Sequence, residues 1–222
     1  MAKKPLLEFT ERGIYCNKGE FFIDPWKPVD YAVITHAHAD HAYPGNKHYL
    51  AHHFSKEVLL YRLGPIQLQT VAYGERVLKN GVTISLHPAG HVIGSAQIRI
   101  EYQGEVWVVS GDYKVENEGV STPFEPIPCH HFISECTFGM PVYKWKPQEQ
   151  VFDDINKWWQ SNLQNGTATV LVGYSLGKAQ RILQNLNVSL GKVYTHGVIE
   201  NTNEALRRTG IQLNPTERIT PL

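Results

Sequence analysis

Residues 35–41 read Thr-His-Ala-His-Ala-Asp-His and follow directly on the apolar run Tyr31-Ala32-Val33-Ile34. No other stretch limits the folded chain so tightly. At an extended strand end, residues two apart project to the same side. His36, His38 and Asp40 can therefore converge, and His41 can reach a neighbouring point at the turn. Imidazole nitrogen and carboxylate oxygen suit zinc and similar divalent ions. Four donors from one short loop are too many for a single open catalytic ion and suit a pair. A lone histidine is usually a surface or hydrogen-bonded core residue, but that explanation does not extend to four coordinating side chains at this spacing in a chain with 11 histidines.

A paired site needs donors from elsewhere. Pro88-Ala89-Gly90-His91-Val92-Ile93-Gly94-Ser95-Ala96 lies between two alternating segments, 82–86 and 97–102, which places His91 on a loop between strands. Gly90 and Gly94 remove side chains that would block close approach. The run Val106-Trp107-Val108-Val109 fits a strand buried on both faces, and Asp112 leaves it after Ser110-Gly111. A carboxylate there is costly unless it is paired or bound to metal, and its two oxygens can serve two ions. An ordinary turn aspartate is the plainer alternative. Asp24, in Phe21-Phe22-Ile23-Asp24-Pro25-Trp26, either holds the second nitrogen of a ligand histidine or closes a turn before proline.

Together these segments resemble the metallo-β-lactamase superfamily. His36, His38, Asp40 and His41 match its HxHxDH motif, His91 its third-histidine motif, Asp112 its bridging aspartate and Asp24 its early aspartate. Ala89-Gly90-His91-Val92-Ile93-Gly94-Ser95-Ala96 and Ser110-Gly111-Asp112-Tyr113 look like the β-CASP nucleases. Ser134-Glu135-Cys136-Thr137-Phe138-Gly139 looks like their acidic motif, and residues 173–181 resemble the helix-opening segment of their insertion. Within that group the likeness is greatest to bacterial ligase-associated DNA exonucleases, which are also described as mRNA 3′-end processing factors.

The resemblance implies an α/β fold: a metallo-β-lactamase-type αββα sandwich, complete or not, with a partial β-CASP-like α/β insertion at the carboxy-terminal end. It implies two divalent metal ions, zinc with manganese as the alternative. His36, His38 and His91 would hold one ion, Asp40 and His41 would help hold the other, and Asp112 would bridge them. Asp40, Asp112 and Glu135 are the implied catalytic residues, and Asp24 supports the ligands from behind. The activity implied is a nuclease in which metal-activated water attacks phosphorus, with DNA favoured over RNA and a DNA ligase or helicase pathway as the setting. Lys178 and Arg181 are candidates to hold substrate phosphate, against the plainer role of solvated helix cations. Members of the family are longer and return to the hydrolase domain with further histidines. This chain stops at Leu222 without a later Asp-His pair, so a fragment, or a shortened member with an incomplete site, is expected. His196 aligns within the insertion and is the remaining candidate for metal or phosphate. Two other classes stay open: a thioester or lactone hydrolase using the same ligands, and a remnant that binds metal without cutting.

A length of 222 residues predicts one large domain or one and a half. The expected boundary is Met140-Pro141, giving a metal-binding domain over 1–140 and an insertion over 141–222. No apolar run reaches membrane-spanning length. The opening Met1-Ala2-Lys3-Lys4-Pro5 lacks a secretory region, and Cys16, Cys129 and Cys136 are odd in number and scattered, which predicts reduced thiols of a cytoplasmic protein. Cys136 is expected in the core. The 21 basic and 21 acidic residues balance, which decides nothing about nucleic acid because a phosphate groove needs only local charge. Trp145, Trp158 and Trp159 lie among late cations and could stack bases, although one of Trp158 and Trp159 should face the core of a helix over 148–163. Further helices are expected over 55–63, 177–186 and 202–209. Strands are expected over 21–23, 31–35, 48–51, 82–86, 96–102, 106–110, 131–134, 168–173 and 192–195.

Overall fold

Short apolar–polar alternations in the first part of the chain build two sheets. The computed structural model describes residues 4–220; Met1, Ala2 and Lys3 of the opening segment and Pro221 and Leu222 of the closing one lie outside the described residues. The chain forms two compact units, Met1–Glu135 and Cys136–Leu222.

In the first unit, six strands lie in sequence order: β1 (Leu7–Thr10), β2 (Gly13–Cys16), β3 (Phe21–Ile23), β4 (Tyr31–Val33), β5 (His48–His52) and β6 (Leu68–Val71). The first three pair antiparallel, and β3 to β6 run parallel. The second sheet contains β7 (Arg76–Lys79), β8 (Val82–Pro88), β9 (Ala96–Tyr102), β10 (Glu105–Val109) and β11 (His131–Ile133), which pair in that order. Asn80-Gly81 and Gln103-Gly104 close the β7–β8 and β9–β10 hairpins, all four residues at positive φ, as a two-residue turn that follows strand twist requires. Phe21, Ile23, Val33 and Leu50 of one sheet and Ile84, Leu86, Ile98 and Ile100 of the other are fully buried in one core. Register places Ile84 opposite Ile100 and Leu86 opposite Ile98. Among the described residues of this unit the only α-helix is α1 (Lys56–Leu63). The expected αββα sandwich thus has both β layers and one helix here.

The second unit holds α2 (Gln148–Gln164), α3 (Lys178–Asn185), β12 (Tyr194–Thr195), α4 (Gly197–Arg208) and β13 (Glu217–Arg218), with β12 and β13 parallel. The strand expected over 168–173 does not form. Its apolar run Val170-Leu171-Val172 suits a strand, but no described segment pairs with it, and Val170 and Val172 stand exposed. Helix α4 begins earlier than expected because His196 caps it, Nδ1 accepting from the Val198 amide at 3.3 Å. Of the tryptophans on α2, Trp159 is buried and Trp158 exposed. Cys16 is buried, but Cys136 is exposed rather than in the core, and all three cysteines are free. Among the described residues no helix is long and apolar enough to cross a membrane.

Candidate metal centre

The Thr35–His41 loop leaves the end of β4 with backbone anchors on both sheets. The Ile34 amide donates to the Leu50 carbonyl at 2.8 Å, and the Ala96 amide of β9 donates to the Thr35 carbonyl at 2.8 Å. The loop then tightens into a turn in which the Ala42 amide reaches the His38 carbonyl at 3.0 Å. From α1, Arg62 Nη1 donates to the Ala37 carbonyl at 2.5 Å and pins the middle of the loop.

His91 sits on the β8–β9 loop. Ser95 Oγ accepts from the His91 and Val92 amides at 3.1 and 3.2 Å, and Tyr73 donates to the Ser95 carbonyl at 2.9 Å. Gly90 and Gly94 both adopt positive φ. A Cβ at Gly90 would overlap the Lys114 carbonyl oxygen, and one at Gly94 would lie 2.5 Å from Ser55 Oγ. Their smallness lets the backbone pass close to its neighbours. Asp112 follows β10 through Gly111, whose φ is +54° and whose Cβ, if present, would lie 2.6 Å from Thr35 Oγ1. Glu135 lies just beyond β11.

These loops converge. His36, His38, His91 and Asp112 offer donor atoms that all lie within 4.8 Å of one another, and so do His41, Asp112 and Glu135. In the first group, His38 Nδ1 lies 3.0 Å from His36 Nε2 and 3.3 Å from His91 Nε2. Asp112 Oδ2 lies 3.3 Å from His91 Nε2 and 3.8 Å from His36 Nε2. In the second, His41 Nε2 lies 3.8 Å from both Asp112 Oδ1 and Glu135 Oε1. Asp112 therefore turns one oxygen to each group. Tetrahedral donors about 2.0–2.2 Å from an ion are about 3.3–3.6 Å apart, and the observed spacings of 3.0–3.8 Å bracket that range.

Hydrogen bonds behind the donors decide their tautomers. Asp24 accepts from the Thr35 amide at 2.8 Å through Oδ1, and from Thr35 Oγ1 at 2.5 Å and His41 Nδ1 at 2.7 Å through Oδ2. With its hydroxyl proton on Asp24, Thr35 Oγ1 accepts from His36 Nδ1 at 3.0 Å. Both histidines are thereby left with Nε2 facing the site. Burial, reinforced by the neighbouring histidines, holds His36 well below the ordinary imidazole value, which keeps its inward lone pair available. Burial also lowers His91, against the opposing pull of Asp112. Burial acts on His41 in the same direction, but the Asp24 hydrogen bond and the charges of Asp24, Asp112 and Asp40 outweigh it and raise His41 to about 9. Burial raises the Glu135 carboxyl, with His41 opposing and Asp112 reinforcing the shift.

Asp40 stands apart from both groups. It is exposed, with Oδ2 3.9 Å from His41 Nε2, at the rim of the second group. Lys178, Arg181 and His196 belong to the second unit. Lys178 lies over the Tyr174 ring, Arg181 Nε donates to Gln148 Oε1 at 2.8 Å, and His196 caps α4. Sequence reasoning assigned no role to Thr35, Ser95 or Arg62. For Thr35 the signal was present, a hydroxyl directly beside the first histidine.

The chain is a distant homologue of metallo-β-lactamase and β-CASP proteins, and its two-sheet α/β fold agrees with that homology. It is 29% identical over 207 residues to a probable DNA ligase of Opitutus terrae, covering 91% of this chain and 20% of that one. An RNase J-like protein of Methanocaldococcus jannaschii is 26% identical over 211 residues, covering 77% and 48%. Endoribonuclease YSH1 of Saccharomyces cerevisiae is 29% identical over 119 residues, covering 53% and 15%. The chain thus spans between about a seventh and a half of the length of these relatives. A protein of unknown function from Enterococcus faecalis shares the fold at 13% identity, with a TM-score of 0.57 over 82% of this chain and 50% of its own. No protein-family model matches the sequence.

Proposed function

We propose that this protein is a metal-dependent phosphodiesterase that cuts nucleic acid at a two-metal centre. One observation carries the proposal: Asp112 belongs to both donor groups and presents Oδ2 to His36 and His91 of the first and Oδ1 to His41 of the second. His36, His38, His91 and Asp112 would hold one ion, and His41, Asp112 and Glu135, with Asp40 at the rim, the other. Zinc suits the imidazole-rich set, and manganese is the alternative. Bound there, a pair of ions supplies Lewis-acid charge and lowers the pKa of water toward neutrality. The chain's own residues do the rest. Asp24 and Thr35 orient His41 and His36, and Arg62 and Ser95 fix the two loops. Glu135, its carboxyl raised by burial, is placed to accept a proton beside Asp112.

Nucleic acid as substrate is supported by relatives named as an RNase J-like protein and an endoribonuclease. DNA, and an exonuclease acting in repair, is supported by the match of nearly the whole chain to a protein named as a probable DNA ligase. RNA processing is the second reading, favoured by the two ribonuclease names. Three free thiols support a cytoplasmic setting.

The test offers the purified chain, loaded with zinc or manganese, labelled single-stranded DNA, RNA and a thioester. Phosphodiester cleavage that a chelator abolishes, together with two ions per chain, is the expected result. His38→Ala should remove metal from the first group and activity with it. Undiminished turnover by that variant sinks the assignment. Thioester cleavage alone redirects it to the competing hydrolase class, and metal binding without turnover redirects it to the remnant.

A further inference from the structure

An exposed aromatic corner begins one residue after Asp112 and has no part in the proposed chemistry. Tyr113 is the residue after Asp112 and is 37% exposed. Phe132 lies on β11 opposite Val108, while its neighbours Trp107, Val109 and Ile133 pack against the core between the sheets. Alternation along the strand therefore turns Phe132 to the outer face, 47% exposed. The two rings meet edge to face at 82° with centroids 6.1 Å apart, and Phe124 packs against Tyr113 at 5.4 Å. Single exposed aromatics are ordinary. Here two rings form a right-angled corner, one of them a single residue away from the carboxylate shared by both donor groups.

We propose that Tyr113 and Phe132 form a stacking corner that receives one unpaired base of the strand whose phosphate reaches Asp112. The proposal rests on the nuclease reading and deepens it. A base laid on the Tyr113 ring has Phe132 as its side wall, and Phe124 backs the tyrosine. Base–aromatic stacking is sequence-tolerant because every base offers a π-face. A base inside a duplex has both faces covered by its neighbours and must first be unstacked. The corner therefore selects strands with a free base beside the scissile phosphate, that is, single strands and frayed ends, without reading their sequence. Tyr113 and Phe132 act here as specificity-determining residues and take no part in bond making.

The experiment compares kcat and KM of the metal-loaded full chain on a single-stranded oligonucleotide, on the same sequence as a blunt duplex, and on bis(p-nitrophenyl) phosphate, which has no base. Tyr113→Leu and Phe132→Leu should each raise KM for the single strand by about five- to a hundredfold, the range of one stacked base. They should also narrow the preference for single strand over duplex, while Tyr113→Phe restores both. If the leucine variants keep the wild-type ratio of oligonucleotide to small-phosphodiester kcat/KM, the corner is no base site and the proposal fails while the nuclease reading stands. If they lose both substrates in proportion, the rings only support Asp112, and the proposal fails in the same way. If the wild-type protein cleaves none of the three substrates with either metal, the nuclease reading itself fails and takes the corner with it.

Discussion

Asp24→Asn should uncouple the two donor groups while leaving the fold in place. Asparagine has the same shape and tolerates the positive φ of 42° at this position, so strain does not confound the result as it would with alanine. The carboxylate accepts three hydrogen bonds, from the Thr35 amide, the Thr35 hydroxyl and His41 Nδ1. An amide offers one oxygen and turns an NH2 group towards donors on its other side, so at least one of the three goes unmet. Leaving a buried donor unsatisfied costs about 1–3 kcal/mol, and loss of the charge weakens the bonds that remain. The hold on His41 Nδ1 slackens, and Nε2 no longer dependably faces Asp112 and Glu135. Loss of such an outer contact typically lowers metal affinity about 10–100-fold, or roughly 1.4–2.7 kcal/mol. The loss should fall mainly on the His41 group, because the first group reaches Asp24 only through Thr35. Calorimetric titration of zinc into metal-free protein, against a competing chelator, resolves the two affinities. If both match the wild type in a folded variant, Asp24 does not orient His41 and the tautomer argument is wrong.

Gly90→Ala should be worse than its size suggests. A Cβ would overlap the Lys114 carbonyl at φ +74°, and residues forced into such a conformation cost about 1–3 kcal/mol before any clash is relieved. His91 should be displaced, so a lowered Tm and loss of one bound ion by elemental analysis are expected; a fully metallated variant of wild-type stability refutes the close approach. His52 should make the protein acid-sensitive. It is fully buried, its Nδ1 accepts from the Phe54 amide, and its ring stacks on Tyr73, and burial lowers it to about 3. Below the unfolded value of about 6.5 the unfolded chain binds a proton that the folded chain refuses. This group's contribution to stability is therefore constant above that pH, falls by up to about 1.4 kcal/mol per unit below it, and levels off below about 3. Urea titrations between pH 7 and 4 should show a shallower slope for His52→Asn; equal slopes would exclude His52 as the source.

The sandwich was legible where periodicity was strong. The segments over 82–86 and 96–102 alternate cleanly, and both are strands that pair side by side in one sheet. The early strands β1 and β2 were not anticipated, although Lys79-Asn80-Gly81-Val82 carries a plain hairpin signal from which β7 could have been placed. The segment over 168–173 shows the opposite failure. Its valines satisfy a strand pattern, but a strand exists only when another pairs with it, and pairing is a tertiary fact. The donor residues were visible because their chemistry is rare at that spacing. Of the groups that hold them, Asp24 was anticipated, whereas Ser95 and Arg62 were not, because they act through a hydroxyl or guanidinium whose partner is chosen by the fold.

The two groups also differ in kind, which makes the identity of the metal two questions rather than one. The first offers three imidazole nitrogens and one carboxylate oxygen; the second offers one imidazole and two carboxylates, with Asp40 at its rim. Imidazole-rich sets favour zinc, whereas carboxylate-rich sets accommodate harder ions such as manganese. Zinc outcompetes manganese at either set in absolute affinity, so the difference should appear as selectivity. Protein equilibrated with one equivalent of zinc and an excess of manganese should retain one zinc and give a manganese resonance from a single site. Asp112→Asn should disturb both sites and Glu135→Gln only the manganese one. An identical zinc-to-manganese ratio at both positions, or a manganese signal that Glu135→Gln leaves unchanged, would mean that the two sets of donors are equivalent and that Asp112 does not divide a nitrogen-rich half from an oxygen-rich one.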